Sequence, residues 1–214
     1  MNVATRWATE RDVPFLAEIV LLASRSHLPK GVWDHALPDD DVRRRFLERL
    51  LVTGTASWCH WSKFRVAEVD GVPAAALSGY ADDEPDMLSE DAAMTEAFGH
   101  VGIGPERQEA VFERIAPFLT CLMPPIGTPW IIEWVATLPP YRRRGLVDRL
   151  LREMLDEGRR RGRRRGQIMV IAGNVSAERA YERVGFLLHE ARYTRAFEEF
   201  IGAPGLHRMT QRLA

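Results

Sequence analysis

Three consecutive arginines, a glycine and an apolar helix start form the most chemically suggestive run in the chain, Pro139-Pro140-Tyr141-Arg142-Arg143-Arg144-Gly145-Leu146-Val147. It lies between an apolar stretch, Trp130 to Thr137, and an amphipathic one, Leu146 to Leu155. A strand entering a helix through such a turn gathers free backbone N–H groups and a positive helix end at one spot, which binds phosphate. Charge-assisted hydrogen bonds from Arg142, Arg143 and Arg144 would add to it, and Gly145 lets backbone approach where a side chain would collide. The pattern points to a pyrophosphate-bearing cofactor. Upstream, Glu133 sits inside Trp-Ile-Ile-Glu-Trp-Val-Ala, and an ionisable group there needs a reason. Strand alternation puts Ile131, Glu133 and Val135 on one face. Trp130 and Trp134 would strip water from the carboxyl and raise its pKa, which suits a general base. A Glu paired to an arginine on an open sheet face is the alternative.

Downstream, Asn174, Ala177, Tyr181, Gly185 and Phe186 recur at fixed offsets. Together, Thr137-Leu138-Pro139, then Arg142, Gly145 and Val147, then Asn174 to Phe186 resemble the acyl-CoA-binding core of the GNAT acetyltransferase superfamily. The resemblance is specific over the C-terminal two-fifths and topological before that. It implies an α/β fold: one GNAT-like domain over 1–214, with a mixed, mostly antiparallel central sheet and helices on both faces. It implies acetyl-CoA as co-substrate and direct transfer of its acetyl group to a primary amine of a small molecule or peptide. Arg142, Arg143, Arg144, Gly145, Leu146 and Val147 would hold the pyrophosphate. The strand end Val135, Ala136 and Thr137 would meet the pantetheine arm and supply an oxyanion N–H, and Asn174 would bond the same arm. Tyr181 would be the acid that protonates the departing thiolate, and Glu133 the water-activating base. Two residues depart from the pattern. Val147 stands where the family has Gly or Ala, and Asp148 puts a carboxylate beside the pyrophosphate site unless it points away. They leave open a non-catalytic acyl-CoA-binding regulatory module.

The acceptor side would come from the loop after the first helix and the middle strands. That gives His27, Trp33, Asp34 and His35, with Trp58, His60, Trp61 and Tyr80. Aromatics beside acids suit an amine, through cation–π and ion pairing, although such aromatics also serve as core. The histidines share no metal-ligand spacing, so no metal is expected.

The elements that must position these groups read as one α/β domain. A strand at 3–8 leads to a helix capped by Thr9 and running to about Ser24. A loop at 28–38 precedes a second helix over 39–51. Strands at 64–69 and 72–80 flank Asp70-Gly71, a type I′ hairpin signal. Residues 82–126 read as a helical insertion that shapes substrate access. It opens with an acidic stretch (Asp82, Asp83, Glu84, Asp86, Glu90, Asp91), has a helix after Pro105, and ends in prolines. Then follow a strand at 130–137, a helix at 145–158, a strand at 167–171, a helix at 176–184, a strand at 186–197 and a short strand at 206–213.

The chain has 214 residues and a formal net charge of −1, so no global field draws it to nucleic acid or membrane. The run Arg159 to Arg165 invites a nucleic-acid reading, but it follows a helix C-terminus, which favours cations, and lacks interleaved aromatics for base stacking. Cys59 and Cys121 are far apart in sequence, consistent with reduced thiols. The apolar run 15–23 is broken by Glu18, unlike a signal peptide or membrane span. A cytoplasmic protein is expected. Members of the family often dimerise, and Phe200 to Ala214 could trade strands with a second copy; monomer and homodimer stay open.

Overall fold

Asp70 and Gly71 both adopt positive φ, 52° and 81°, the geometry of a two-residue primed turn. They join β2 (Phe64–Val69) to β3 (Val72–Tyr80). Around this hairpin the computed structural model, which describes residues 2–84 and 87–213, builds a seven-stranded sheet. β1 (Val3–Trp7) flanks β2, and β4 (Trp130–Thr137) flanks β3. Next come β5 (Arg165–Ile171), β7 (Gly205–Arg212) and, at the edge, β6 (Leu187–Tyr193). β4 and β5 run parallel, and the other described pairs are antiparallel. A parallel pair needs a crossover, here α6 (Leu146–Arg160).

The sheet is covered on both faces. On one side, α1 (Val13–Arg25), α2 (Val32–Ala36), α3 (Asp40–Leu50), α4 (Glu90–His100) and α5 (Pro105–Leu119) enclose Leu16, Ile19, Phe46, Phe98 and Ile131. On the other, α6 and α7 (Val175–Arg183) bury Leu150, Leu151 and Met154 against Ile132, Ile168 and Phe186. A smaller cluster joins α8 (Arg195–Ile201) to Ile171 and Leu206. No helix among the described residues is long and apolar enough to cross a membrane.

Three short helices depart from the expected layout, and a side chain caps each. The loop at 28–38 contains α2, whose first turn is fixed where Asp34 accepts from the Gly31 N–H at 2.8 Å. Ser89 caps α4, accepting from Ala92 at 3.3 Å. The strand expected to reach Phe197 stops at Tyr193, because Thr194 caps α8 by accepting from Phe197 N–H at 3.1 Å. Such caps satisfy helix-end donors that a strand would leave to a neighbour.

Within 82–126 the helices are α4 and α5, and they are no appendage. Phe98, Ile103, Val111 and Ile115 share the core that holds Phe46. Of its acidic stretch, Asp83 pairs with Arg163 at 2.6 Å and Glu84 with Arg161 at 3.0 Å, while Asp86 lies outside the described residues. Arg159 and Arg160 pair with Asp156 and Glu157, each at 2.7 Å. Arg159, Arg160, Arg161 and Arg163 of the basic run are therefore each matched by a carboxylate.

Candidate active site

β4 carries one extra residue. Ala76 faces Ala136 while Ser78 faces Glu133, so two steps along β3 match three along β4. Trp134 absorbs the difference with φ 53°, an uncommon backbone state for a bulky residue. The bulge overturns the simple alternation expected for this strand. Ile131 and Trp134 pack on the first core, whereas Val135 packs on the second. Past the bulge the sheet opens. β4 pairs with β5 only from Trp130 to Ile132, against Gly166 to Ile168. Beyond that, Glu133 to Thr137 and Met169 to Ile171 line opposite sides of a cleft of about 1530 Å³.

The helix end opens at the mouth of this cleft. Gly145 is left-handed, φ 74°, and α6 starts at Leu146. The Arg149 N–H bonds Gly145 O at 3.2 Å, so the N–H groups of Leu146, Val147 and Asp148 precede the helix's own ladder. A Cβ added at Gly145 would meet nothing within 4 Å. Backbone conformation, rather than crowding by the protein, calls for glycine here. Arg143 is also left-handed, φ 61°. Arg142 donates to Thr137 O at 3.3 Å, and Arg144 donates to Pro140 O at 3.1 Å while lying over Tyr141. Val147, half-buried, packs on the second core with Val135, Tyr141 and Ala177. Asp148 receives two bonds from Arg183 of α7, both 2.8 Å, and these hold its carboxyl below the ordinary carboxylate range.

Asn174 is the N-cap of α7. Its Oδ1 accepts from Ala177 N–H at 3.1 Å, and its Nδ2 donates to Ser26 Oγ at 2.7 Å. The cap thus falls on Asn174, and the helix starts at Val175. Ser26, at the end of α1, has φ 58° and carried no signal in the sequence as a cleft residue. About two turns along α7, Tyr181 lines the cleft, 5% exposed, with its ring set edge-on to Phe186 at 6.3 Å. Burial pushes its phenol pKa upward, so it keeps its proton. Glu133 is half-buried, and its carboxyl has lost most of its water. That loss and the charge of Glu90 raise its pKa to about 7, against a lowering contact with the Tyr80 hydroxyl.

Of the acceptor-side residues, His27, Trp33, Trp58 and Tyr80 line the cleft. Four others are used elsewhere. Asp34 is held by Arg25 at 2.6 and 2.8 Å and by the Gly31 N–H. His35 lies tilted against Phe200, ring centroids 4.5 Å apart. His60 Nδ1 bonds Ser62, and Trp61 lies against His60. The cleft instead recruits Glu90, Met94 and Phe112 from α4 and α5. Among the described residues no group of three or more His, Cys, Asp or Glu could hold a metal ion.

The donor set suits an acyl-CoA. Helix-end amides with open space beyond Gly145 match a diphosphate, and the parted β4 and β5 edges match an amide-bearing arm. The comparisons with known proteins agree. The acetyltransferase (GNAT) family matches residues 32–186, while no curated protein matches the chain. The fold is shared with an N-acetyltransferase of Staphylococcus aureus Mu50 (TM-score 0.65, 17% identity, 97% of this chain and 99% of that one). It is shared with yncA of Salmonella typhimurium, described with its cofactor acetyl-CoA (0.59, 19%, 100% and 95%). A polyamine N-acetyltransferase of Drosophila melanogaster, which forms N-acetylagmatine, is a third (0.57, 14%, 99% and 100%). Parted strands, bare helix end and family match converge: the chain belongs to the acetyltransferase (GNAT) family and is an acetyl-CoA-dependent acyltransferase.

Proposed function

We propose that the protein moves the acetyl group of acetyl-CoA directly to a primary amine of a small molecule or peptide. The observation that carries this is the bulged, parted β4, which sets Glu133 and Tyr181 on one cleft whose mouth is a helix N-terminus. When bound, acetyl-CoA supplies an activated acyl carbon and a thiolate leaving group. The N–H groups of Gly145 to Val147, with Arg142, Arg143 and Arg144, hold the diphosphate. Val135, Ala136 and Thr137 offer backbone groups to the pantetheine arm and an N–H to the carbonyl oxygen. Asn174 Oδ1 is engaged in capping, so this residue acts on the arm chiefly by fixing where α7 begins. Glu133 accepts a proton from the ammonium, directly or through water. The freed nitrogen lone pair forms the C–N bond as the C–S bond breaks; Tyr181 gives its proton to the sulfur and regains one from the new amide nitrogen, directly or through water.

The grounds for a non-catalytic module weaken. Val147 is accommodated by packing and Asp148 by its pair with Arg183. The test is thiol release from acetyl-CoA across polyamines, amino acids, aminoglycosides and peptide N-termini. Turnover is expected, with Tyr181→Phe lowering kcat about 100-fold or more. Tight coenzyme A binding without thiol release on any amine would favour the module.

A further inference from the structure

Resting on that transferase reading, we infer that the acceptor is a primary amine carrying a bulky apolar arm, such as an aralkylamine, rather than a polyamine. The carboxylates on the acceptor side of the cleft come from Glu133 of β4 and from Glu90 and Asp91 of α4, with Glu90 close enough to Glu133 for its charge to raise the Glu133 pKa. These acids would receive the reacting ammonium. Away from them the wall is apolar, built by Ile115 and Phe118 of α5 with Trp33 of α2. At the rim, Phe112 and Leu119 are 36% and 41% exposed and Leu122 is 38% exposed. These are three of the large apolar side chains that the fold leaves in water, and all three line this cleft. A second cation on the acceptor would have to lose water against that wall, which costs affinity. A phenyl or branched alkyl arm would cover it instead. Trp33 also contacts Trp134 of the bulge, ring centroids 6.3 Å apart. The arm and the reacting nitrogen are thus gripped by neighbouring parts of one wall. The step is the same transfer: the amine forms the amide, the C–S bond breaks, and the thiol leaves protonated.

Two measurements test this. Thiol release is compared for 2-phenylethylamine, 4-phenylbutylamine, agmatine and spermidine. Quenching of tryptophan fluorescence by the same amines is titrated with and without coenzyme A, because Trp33, Trp58 and Trp134 line the cleft. The phenylalkylamines are expected to exceed agmatine and spermidine in kcat/KM by about 10-fold or more and to quench saturably at lower concentration. Phe112→Ser and Leu119→Ser, at exposed positions, should each raise the KM for phenylalkylamines several-fold while the coenzyme A dissociation constant holds. Stronger quenching or faster turnover with spermidine, or equal effects of both variants on all four amines, would overturn the inference. Saturable phenylalkylamine quenching without thiol release would support the acceptor site and sink the transferase reading instead.

Discussion

At alkaline pH the folded chain must hold Glu133 as an anion where little water reaches it. Its ordinary pKa is 4.5 and its folded value is about 7. Below 4.5 both folded and unfolded chains hold the proton, and the site costs nothing. As pH rises toward 7 only the unfolded chain ionises, so stability is lost through this window and stays lost above it. Glu133→Gln should therefore be more stable than the parent at pH 8, by on the order of 2 kcal/mol after screening, with the gain absent at pH 4. Thermal melts at both pH values check the sign. On the proposed mechanism, the parent's kcat/KM rises with pH through about 7, and the variant loses that limb along with most of its rate. A glutamate among tryptophans and isoleucines could be singled out in the sequence because burying it is expensive. Its surroundings could not, because Glu90 arrives from a helix more than forty residues upstream and Asp34, equally conspicuous, is spent on Arg25.

The α6–α7 pair carries its own test. Arg183 occupies the Asp148 carboxylate beside the proposed diphosphate cradle. Arg183→Ala should weaken coenzyme A binding by about 5-fold, through one unshielded charge several ångströms away. Asp148→Asn should relieve it, and the double variant should return to the parent's affinity. Calorimetric titration of the three proteins reads the cycle; additive losses would mean that the pair does not shield the site. The strands, the hairpin at Asp70-Gly71 and helices α1, α3, α6 and α7 were legible from apolar period and turn residues. Helices α2, α4 and α8 were not. Each has a weak or short apolar stripe and is set by a single capping side chain, Asp34, Ser89 or Thr194. The bulge escaped notice because no glycine or proline marks it; a tryptophan takes the positive φ.

Over the whole chain, α4 and α5 pack into the same core as α1 and α3, and on that packing they should unfold with it rather than as a detachable cover. Phe98 is fully buried and stacks near Phe46 at 4.7 Å. Phe98→Ala should cost about 3–5 kcal/mol and lower a single calorimetric transition, whereas two transitions would make the segment a separate unit. The ties from Asp83 and Glu84 to Arg163 and Arg161 join acids and bases some eighty positions apart, a match that chain order conceals. The parted β4 and β5 have a last consequence. The cleft they leave is lined from both faces of the sheet, by α6 and α7 on one and by α2, α4 and α5 on the other. Both thiols of the chain, Cys59 and Cys121, are sealed at 0% exposure, so neither is offered to an acyl group, and a direct transfer would need both substrates in that cleft together. Initial rates with both substrates varied should give intersecting double-reciprocal lines.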